Sequence, residues 1–283
     1  MYQPFRWDVK RREQLGKLLE GTPAEAYPEF WEDLRLCAAR VLSASQDGNL
    51  VFLGRSPESL FDYLSGMLGE TSWASRLALL NVSLHRWDAR DIRREYRQSL
   101  EVFRQHLAAL ELSPRQIAAA PRKTVLVDVV SGGSTYQNLS ELWLEWARGS
   151  GLDPAALARR MRFVGLVWRT KNSPNTWRWQ QHAPWLAAYG PRAAHNVSIP
   201  GRMWRFIGEE QHKVSRWNPP PAWGLEQMAE PPREFWHLEA LRFAYAVYSR
   251  AREPLEREAF RDLLTQQPSM RHGWFRDLLG QIR

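Results

Sequence analysis

The residues with the clearest chemical potential lie in the stretch Thr124-Val125-Leu126-Val127-Asp128-Val129-Val130-Ser131-Gly132-Gly133-Ser134-Thr135. An apolar run ends near a single acid. A loop of glycines and hydroxyls follows and leads into a pattern with helical spacing. A buried strand delivers a phosphate-binding loop to a helix start in this way. The first helical N–H groups are unpaired, the helix dipole favours an anion, and glycine allows close approach. Asp128 falls at the carboxyl end of the strand, where open α/β sheets bind their ligands. The expected ligand is a phosphorylated sugar or a nucleotide.

A second candidate follows the first strand, Asn49 to Leu53, as Gly54-Arg55-Ser56-Pro57-Glu58. Here Ser56 suits an N-cap, Pro57 a first helical position and Glu58 a first-turn acid. His85 directly follows a further strand, Leu77 to Val82. The seven histidines show no His-x3-His or His-Glu-x2-His spacing, which argues against a zinc site. Neither a Gly-x-Ser-x-Gly elbow nor a Gly-x4-Gly-Lys-Ser/Thr loop occurs, so a serine hydrolase of that type and a P-loop NTPase are not expected.

The elements that must position these loops alternate. Residues 4 to 45 are expected to be helical, and a helix through Leu60, Tyr63, Leu64 and Met67 follows the first strand. One long amphipathic helix spans 88 to 110, the third strand is Thr124–Val130, and its helix runs from 135 to 148. Asp153-Pro154 opens a short helix before the strand at 163 to 168, and 196 to 199 forms an edge strand. The pattern predicts an α/β fold with a mainly parallel, doubly wound sheet of about five strands. After the proline-rich stretches near 218 and 231 only helical spacing remains, at 234–252, 254–266 and 269–282. Three parts are therefore expected: an N-terminal helical segment (1–45), an α/β core with hood (46–217), and a helical C-terminal appendage (218–283).

The chain of 283 residues carries a net charge of +8 and a pI near 9.9, which suits an anionic partner. Fifteen tryptophans are unusual, and Trp168, Trp177, Trp179, Trp185, Trp204, Trp217, Trp223 and Trp236 crowd the C-terminal half. Most should anchor core and loops, with base stacking as an alternative for one or two. A single cysteine, Cys37, excludes an intrachain disulfide. The N-terminus has no signal-peptide pattern and no apolar run is long enough to span a bilayer, so a cytoplasmic protein without a membrane partner is expected.

The segment from Val127 to Thr135 resembles the phosphoribosyl pyrophosphate (PRPP) signature of type I phosphoribosyltransferases: two adjacent acids, two apolar residues, then a small-residue loop ending Gly-x-Thr. Leu53-Gly54-Arg55-Ser56 is similar to that family's pyrophosphate loop. More weakly, Gly165 to Lys171 and Val197 to Trp204 are similar to base-binding segments of the hypoxanthine-guanine branch. The resemblance covers roughly residues 48 to 208.

It implies that Ser131, Gly132, Gly133, Ser134 and Thr135 hold the 5′-phosphate. Asp128 would meet the ribose hydroxyls, directly or through Mg²⁺, and Gly54, Arg55 and Ser56 would meet the pyrophosphate. Lys171 would contact the base and Trp204 stack on it. The implied reaction transfers ribose 5-phosphate to a nitrogen acceptor, with Asp128 and Arg55 as its catalytic groups. Two positions depart from the signature: Val127 replaces the first acid, and Ser131 replaces a loop acid. Glu209, Glu210 and Asp88 are candidates for a compensating carboxylate. The alternatives are a non-catalytic phosphosugar sensor, a nucleic-acid-binding protein, or hydrolysis or phosphorolysis of a nucleotide. The helical tail is a plausible homodimer surface.

Overall fold

The computed structural model describes residues 3–168 and 178–283. Five strands form one parallel sheet: β1 (Asn49–Leu53), β2 (Leu77–Leu80), β3 (Thr124–Val129), β4 (Met161–Trp168) and β5 (Ala194–Ile199). Their order is β2-β1-β3-β4-β5, so the chain reverses direction across the sheet between β1 and β3. Crevices at such a switch point are where doubly wound sheets bind ligands. The register places Val51 beside Leu126 and Phe52 beside Val127. Gly54 and Asp128 consequently emerge at neighbouring strand ends.

Helices cover both faces, which explains the nearly continuous apolar character of β1 and β3. On one face Phe52, Val125 and Val127 pack with Phe30, Tyr63, Phe243, Phe260 and Phe275. On the other Val51, Leu126 and Phe163 pack with Phe103, Tyr136, Trp143 and Trp179. The first face receives one crossover helix, Glu58–Met67. The C-terminal helices Phe235–Arg250, Pro254–Thr265 and Gly273–Gln281 complete its cover. Rather than hanging off the core, they are part of it.

One buried ionic cluster fastens them. Glu256 accepts two bonds of 2.7 Å from Arg35 and a third of 2.7 Å from the Tyr63 hydroxyl. Burial opposes its charge, yet these donors hold its carboxyl below the ordinary range. Glu256→Ala leaves Arg35 and Tyr63 without their acceptor, and it should cost about 3–5 kcal/mol. Urea unfolding should remain a single transition at a lower midpoint. A separate early transition for the tail would contradict a shared core.

Several sequence-based boundaries change. The continuous N-terminal helix is Phe30–Ser45 only, preceded by the short turns Arg12–Leu15 and Gly16–Leu19. Gly16 at φ +47° and the Gly21-Thr22-Pro23 stretch interrupt helical geometry there. The long helix expected over 88 to 110 is two, Ala89–Glu95 and Arg97–Ala109. They divide at Tyr96, whose ring packs edge-on to Trp87. Ser56 caps nothing, because the following helix starts at Glu58 with Pro57 in the cap position. Among the described residues no helix is long and apolar enough to cross a membrane.

Candidate functional site

A cleft of about 580 Å³ opens at the carboxyl ends of β1 and β3. Leu53-Gly54-Arg55-Ser56 forms one wall and the Asp128–Thr135 segment the other. Trp204, Glu209 and Lys213 close the third side. The two loops singled out from sequence therefore share one cavity. Its volume falls within the range of roughly 300–1,000 Å³ usual for small-molecule sites.

The phosphate cradle is built by backbone. Helix Ser134–Gly149 begins after Gly133, which holds φ +82°, and no side chain caps it. Its first N–H groups are left available to an anion, supported by the dipole of a 16-residue helix. Glycine at 133 is required twice. A side chain disfavours that φ, and a Cβ would stand 2.7 Å from the Trp179 ring. Trp179 is itself fixed by donating to Asn196 Oδ1 at 2.8 Å. Gly132 has open space and an ordinary φ. Gly133→Ala should therefore cost about 2–4 kcal/mol of stability, and Gly132→Ala only about 0.5 kcal/mol or less. Thermal melts of the two variants test that contrast.

Asp128 is almost fully buried, and its carboxylate accepts one bond, from Val129 N at 2.7 Å. No cation faces it among the described residues. Burial pushes its carboxyl up to about 8, partly offset by that single bond. At a pKa of about 8 the protonated form predominates at neutral pH, a carboxyl able to bond a hydroxyl and one that would give up its proton on taking a cation. Opposite it on β4 stands Gly165, where a Cβ would crowd the Trp179 nitrogen and Val130.

Arg55 and Lys213 carry the positive charge. The Arg55 guanidinium makes no ion pair or hydrogen bond among the described residues; burial lowers its pKa, partly offset by the nearby Glu58 carboxylate. Lys213 donates to the Ile207 carbonyl and is pushed down to about 8 by burial and by Arg55, against the attraction of Glu58. Two desolvated cations that share one buried carboxylate, itself bonded to the Val214 and Ser215 N–H groups, favour a further anion in the cleft.

Local structure brings Lys213 there. Residues Phe206–Glu210 form a π-helical turn, a geometry frequent at functional sites. Beyond it, the Glu58 carboxylate accepts the Val214 and Ser215 N–H groups at 3.0 and 3.2 Å. Asn218 Nδ2 donates to Asn81 O at 2.8 Å, and Ser83 N donates to Asn218 O at 3.0 Å. This stitching lays the 213–218 segment along the end of β2. Lys213, Trp217 and Ser83 line the cleft without having been expected from sequence; only the position of Ser83 after a strand carried any hint.

Gly54, Arg55, Ser56, Asp128, Ser131, Gly132, Gly133, Ser134, Thr135, Trp204, His85 and Glu209 all line the cleft. Trp204 donates from Nε1 to Val130 O at 3.3 Å and stacks on Trp168, so one face of its ring is already occupied. Lys171 lies outside the described residues. Asp88 caps the helix Ala89–Glu95 by accepting from Arg90 N, and neither it nor Glu210 lines the cleft. The missing first acid also has a structural reason. Side chains alternate along β3, so Val127 points into the apolar core while Asp128 faces the opposite side. An acid at 127 would be buried among hydrocarbon.

No group of three or more His, Cys, Asp or Glu side chains suited to a metal occurs among the described residues. Asp128 and Glu209 are the two carboxylates of the cleft. One or two carboxylates plus oxygens of a bound phosphate suffice for Mg²⁺, so this donor set fits that ion. Comparison of the chain with protein-family models, with curated proteins and with solved structures gives no match.

Proposed function

We propose that the cleft binds a ribose 5-phosphate donor carrying pyrophosphate, such as PRPP, and transfers ribose 5-phosphate to a nitrogen acceptor. One observation carries this reading. Two anion-binding features of different construction meet at the switch point: an uncapped helix start after Gly133 and the two desolvated cations Arg55 and Lys213. A donor with a phosphate at each end of one sugar satisfies both together. Asp128, on the β3 side, is suited to the ribose hydroxyls between them.

In the transfer, the bond from C1 to the pyrophosphate oxygen breaks and the oxygen keeps the electron pair. A bond forms from the acceptor nitrogen to C1, and that nitrogen gives its proton to Glu209. Arg55 and Lys213 stabilise the departing charge, the kind of preorganised electrostatic work that dominates such reactions. Mg²⁺, when bound through Asp128 and the ligand's oxygens, would neutralise part of the pyrophosphate charge. The lone thiol, Cys37, is buried and pushed up to about 12, so it takes no part in this chemistry.

A second reading, a non-catalytic sensor of the same ligand, is favoured by the protonated state of Asp128 and by Val127. Calorimetry with PRPP and with ribose 5-phosphate, each with and without Mg²⁺, tests binding. Release of pyrophosphate with a panel of nitrogen bases then separates enzyme from sensor. Absence of binding by either phosphosugar would sink both readings.

A further inference from the structure

A second cavity of about 420 Å³ adjoins the phosphate cleft and shares Arg55, Gly208, Glu209, Lys213 and Trp217 with it. Its far side is formed by Trp236 and His237, in the first turn of helix Phe235–Arg250. Two tryptophans line it with more than half of their surface exposed, Trp217 at 57% and Trp236 at 52%. Tryptophan is normally spent on burial, and exposed indoles beside a ligand cleft serve as stacking faces. The chain on either side of Trp217 is held in place. Its neighbours Arg216 and Asn218 are tied to Asn81 through a backbone carbonyl at 3.2 Å and a side-chain amide at 2.8 Å. His237 is fixed by a 2.8 Å bond between Nδ1 and the Lys213 carbonyl.

Charge decides what the cavity accepts. Arg216 is already engaged by the Gln227 carbonyl and by Glu234 at 3.3 Å, and Glu209 and Glu234 both line the wall. The wall's other cations, Arg55 and Lys213, are shared with the first cleft, where the phosphosugar's own phosphates engage them; beyond them, with Arg216 tied and two carboxylates present, the space is poorly suited to further phosphates. A nucleic-acid strand would have to run its backbone past both acids. A planar aromatic ring meets no such penalty.

We infer that this second cavity is the acceptor subsite, where Trp217 and Trp236 hold a planar, nitrogen-bearing aromatic ring of nucleobase type beside the phosphosugar. The inference rests on the phosphosugar reading of the first cleft. It places the ring on Trp217 and Trp236 rather than on Trp204, one face of which is covered by Trp168. The Glu209 carboxylate, on the wall common to both cavities, forms no ion pair or hydrogen bond among the described residues, and it receives the ring's proton during transfer.

The test uses ribose 5-phosphate, which fills only the first cleft, and the 5′-monophosphates of adenosine, guanosine, cytidine and uridine, which reach both. Calorimetry is run on the wild type and on Trp217→Ala, Trp236→Ala and the double variant, with thermal melts as a folding check. At least one nucleotide should bind about tenfold or more tighter than ribose 5-phosphate. Trp236→Ala, which touches only the second cavity, should cut that excess at least threefold while leaving ribose 5-phosphate affinity unchanged, and the double variant should erase the excess. Equal affinity for all five probes, or an excess that survives in the double variant, overturns the acceptor subsite. A Trp-dependent nucleotide signal without any ribose 5-phosphate binding keeps the ring site and removes the phosphosugar reading instead.

Discussion

Replacing Asp128 by asparagine is expected to stabilise the protein at pH 8 while weakening phosphosugar binding by at least tenfold. The carboxyl is buried beside a single backbone donor, and its pKa of about 8 stands far above that of the unfolded chain. The folded state therefore binds the extra proton between roughly pH 4 and 8. Its contribution to stability is complete below the unfolded pKa and is lost as pH rises through 8. The slope is at most about 1.4 kcal/mol per pH unit. The window from roughly pH 6.5 to 7.2 isolates it best. Asp62, raised by burial to about 6, has mostly finished titrating there, and Lys213, lowered to about 8, is still mostly charged. His106, lowered by burial to about 4, destabilises only below its unfolded value of 6.5. Wild-type melting temperature should fall across this window, and the Asp128→Asn profile should be flat and higher at its alkaline end. A variant no more stable than wild type at pH 8 would show that the carboxyl pays no burial cost. A group that is costly to the fold and indispensable to binding is characteristic of a functional site.

The second large effect concerns the cation pair. Arg55→Ala should lower pyrophosphate affinity by about a hundredfold, since it removes a desolvated guanidinium that no side chain among the described residues hydrogen-bonds. Lys213→Met should have a smaller effect with a distinct pH signature. In wild type the Lys213 amine is charged below about 8, so pyrophosphate affinity should decline as pH rises past that value. In Lys213→Met the decline should vanish. A bound anion between the two cations should raise the Lys213 pKa, and lysine side-chain NMR with and without pyrophosphate reads that shift directly. Unchanged pyrophosphate affinity in Arg55→Ala would remove the second anion site from the cleft.

The local features legible in sequence share a physical basis. The apolar runs of β1 and β3, the Gly133 turn and the helix beginning at Ser134 depend on near neighbours, and each lies where residue patterning placed it. Gly54, Arg55, Asp128 and the 131–135 loop follow, because a strand end and a helix start are defined within a few residues. Helix breaks were less visible: Tyr96 divides its helix through contact with Trp87. The N-terminal segment, too, is mostly fixed by distant partners, such as the bond from Phe5 N to Met228 O.

By itself, the sequence determined the alternation of strands and helices, hence a parallel doubly wound sheet, and it marked both loops at strand ends. Tertiary structure alone decided that β1 and β3 are neighbours, which turns two loops into one cleft. It also decided that the C-terminal helices belong to the core and that Lys213 and Trp217 reach the site. Those outcomes depend on long-range partners, Glu256 with Arg35 and Tyr63, Glu58 with Val214 and Ser215, and Asn218 with Asn81. Periodicity and turn chemistry register only what lies a few residues away, whereas these contacts join positions more than a hundred residues apart.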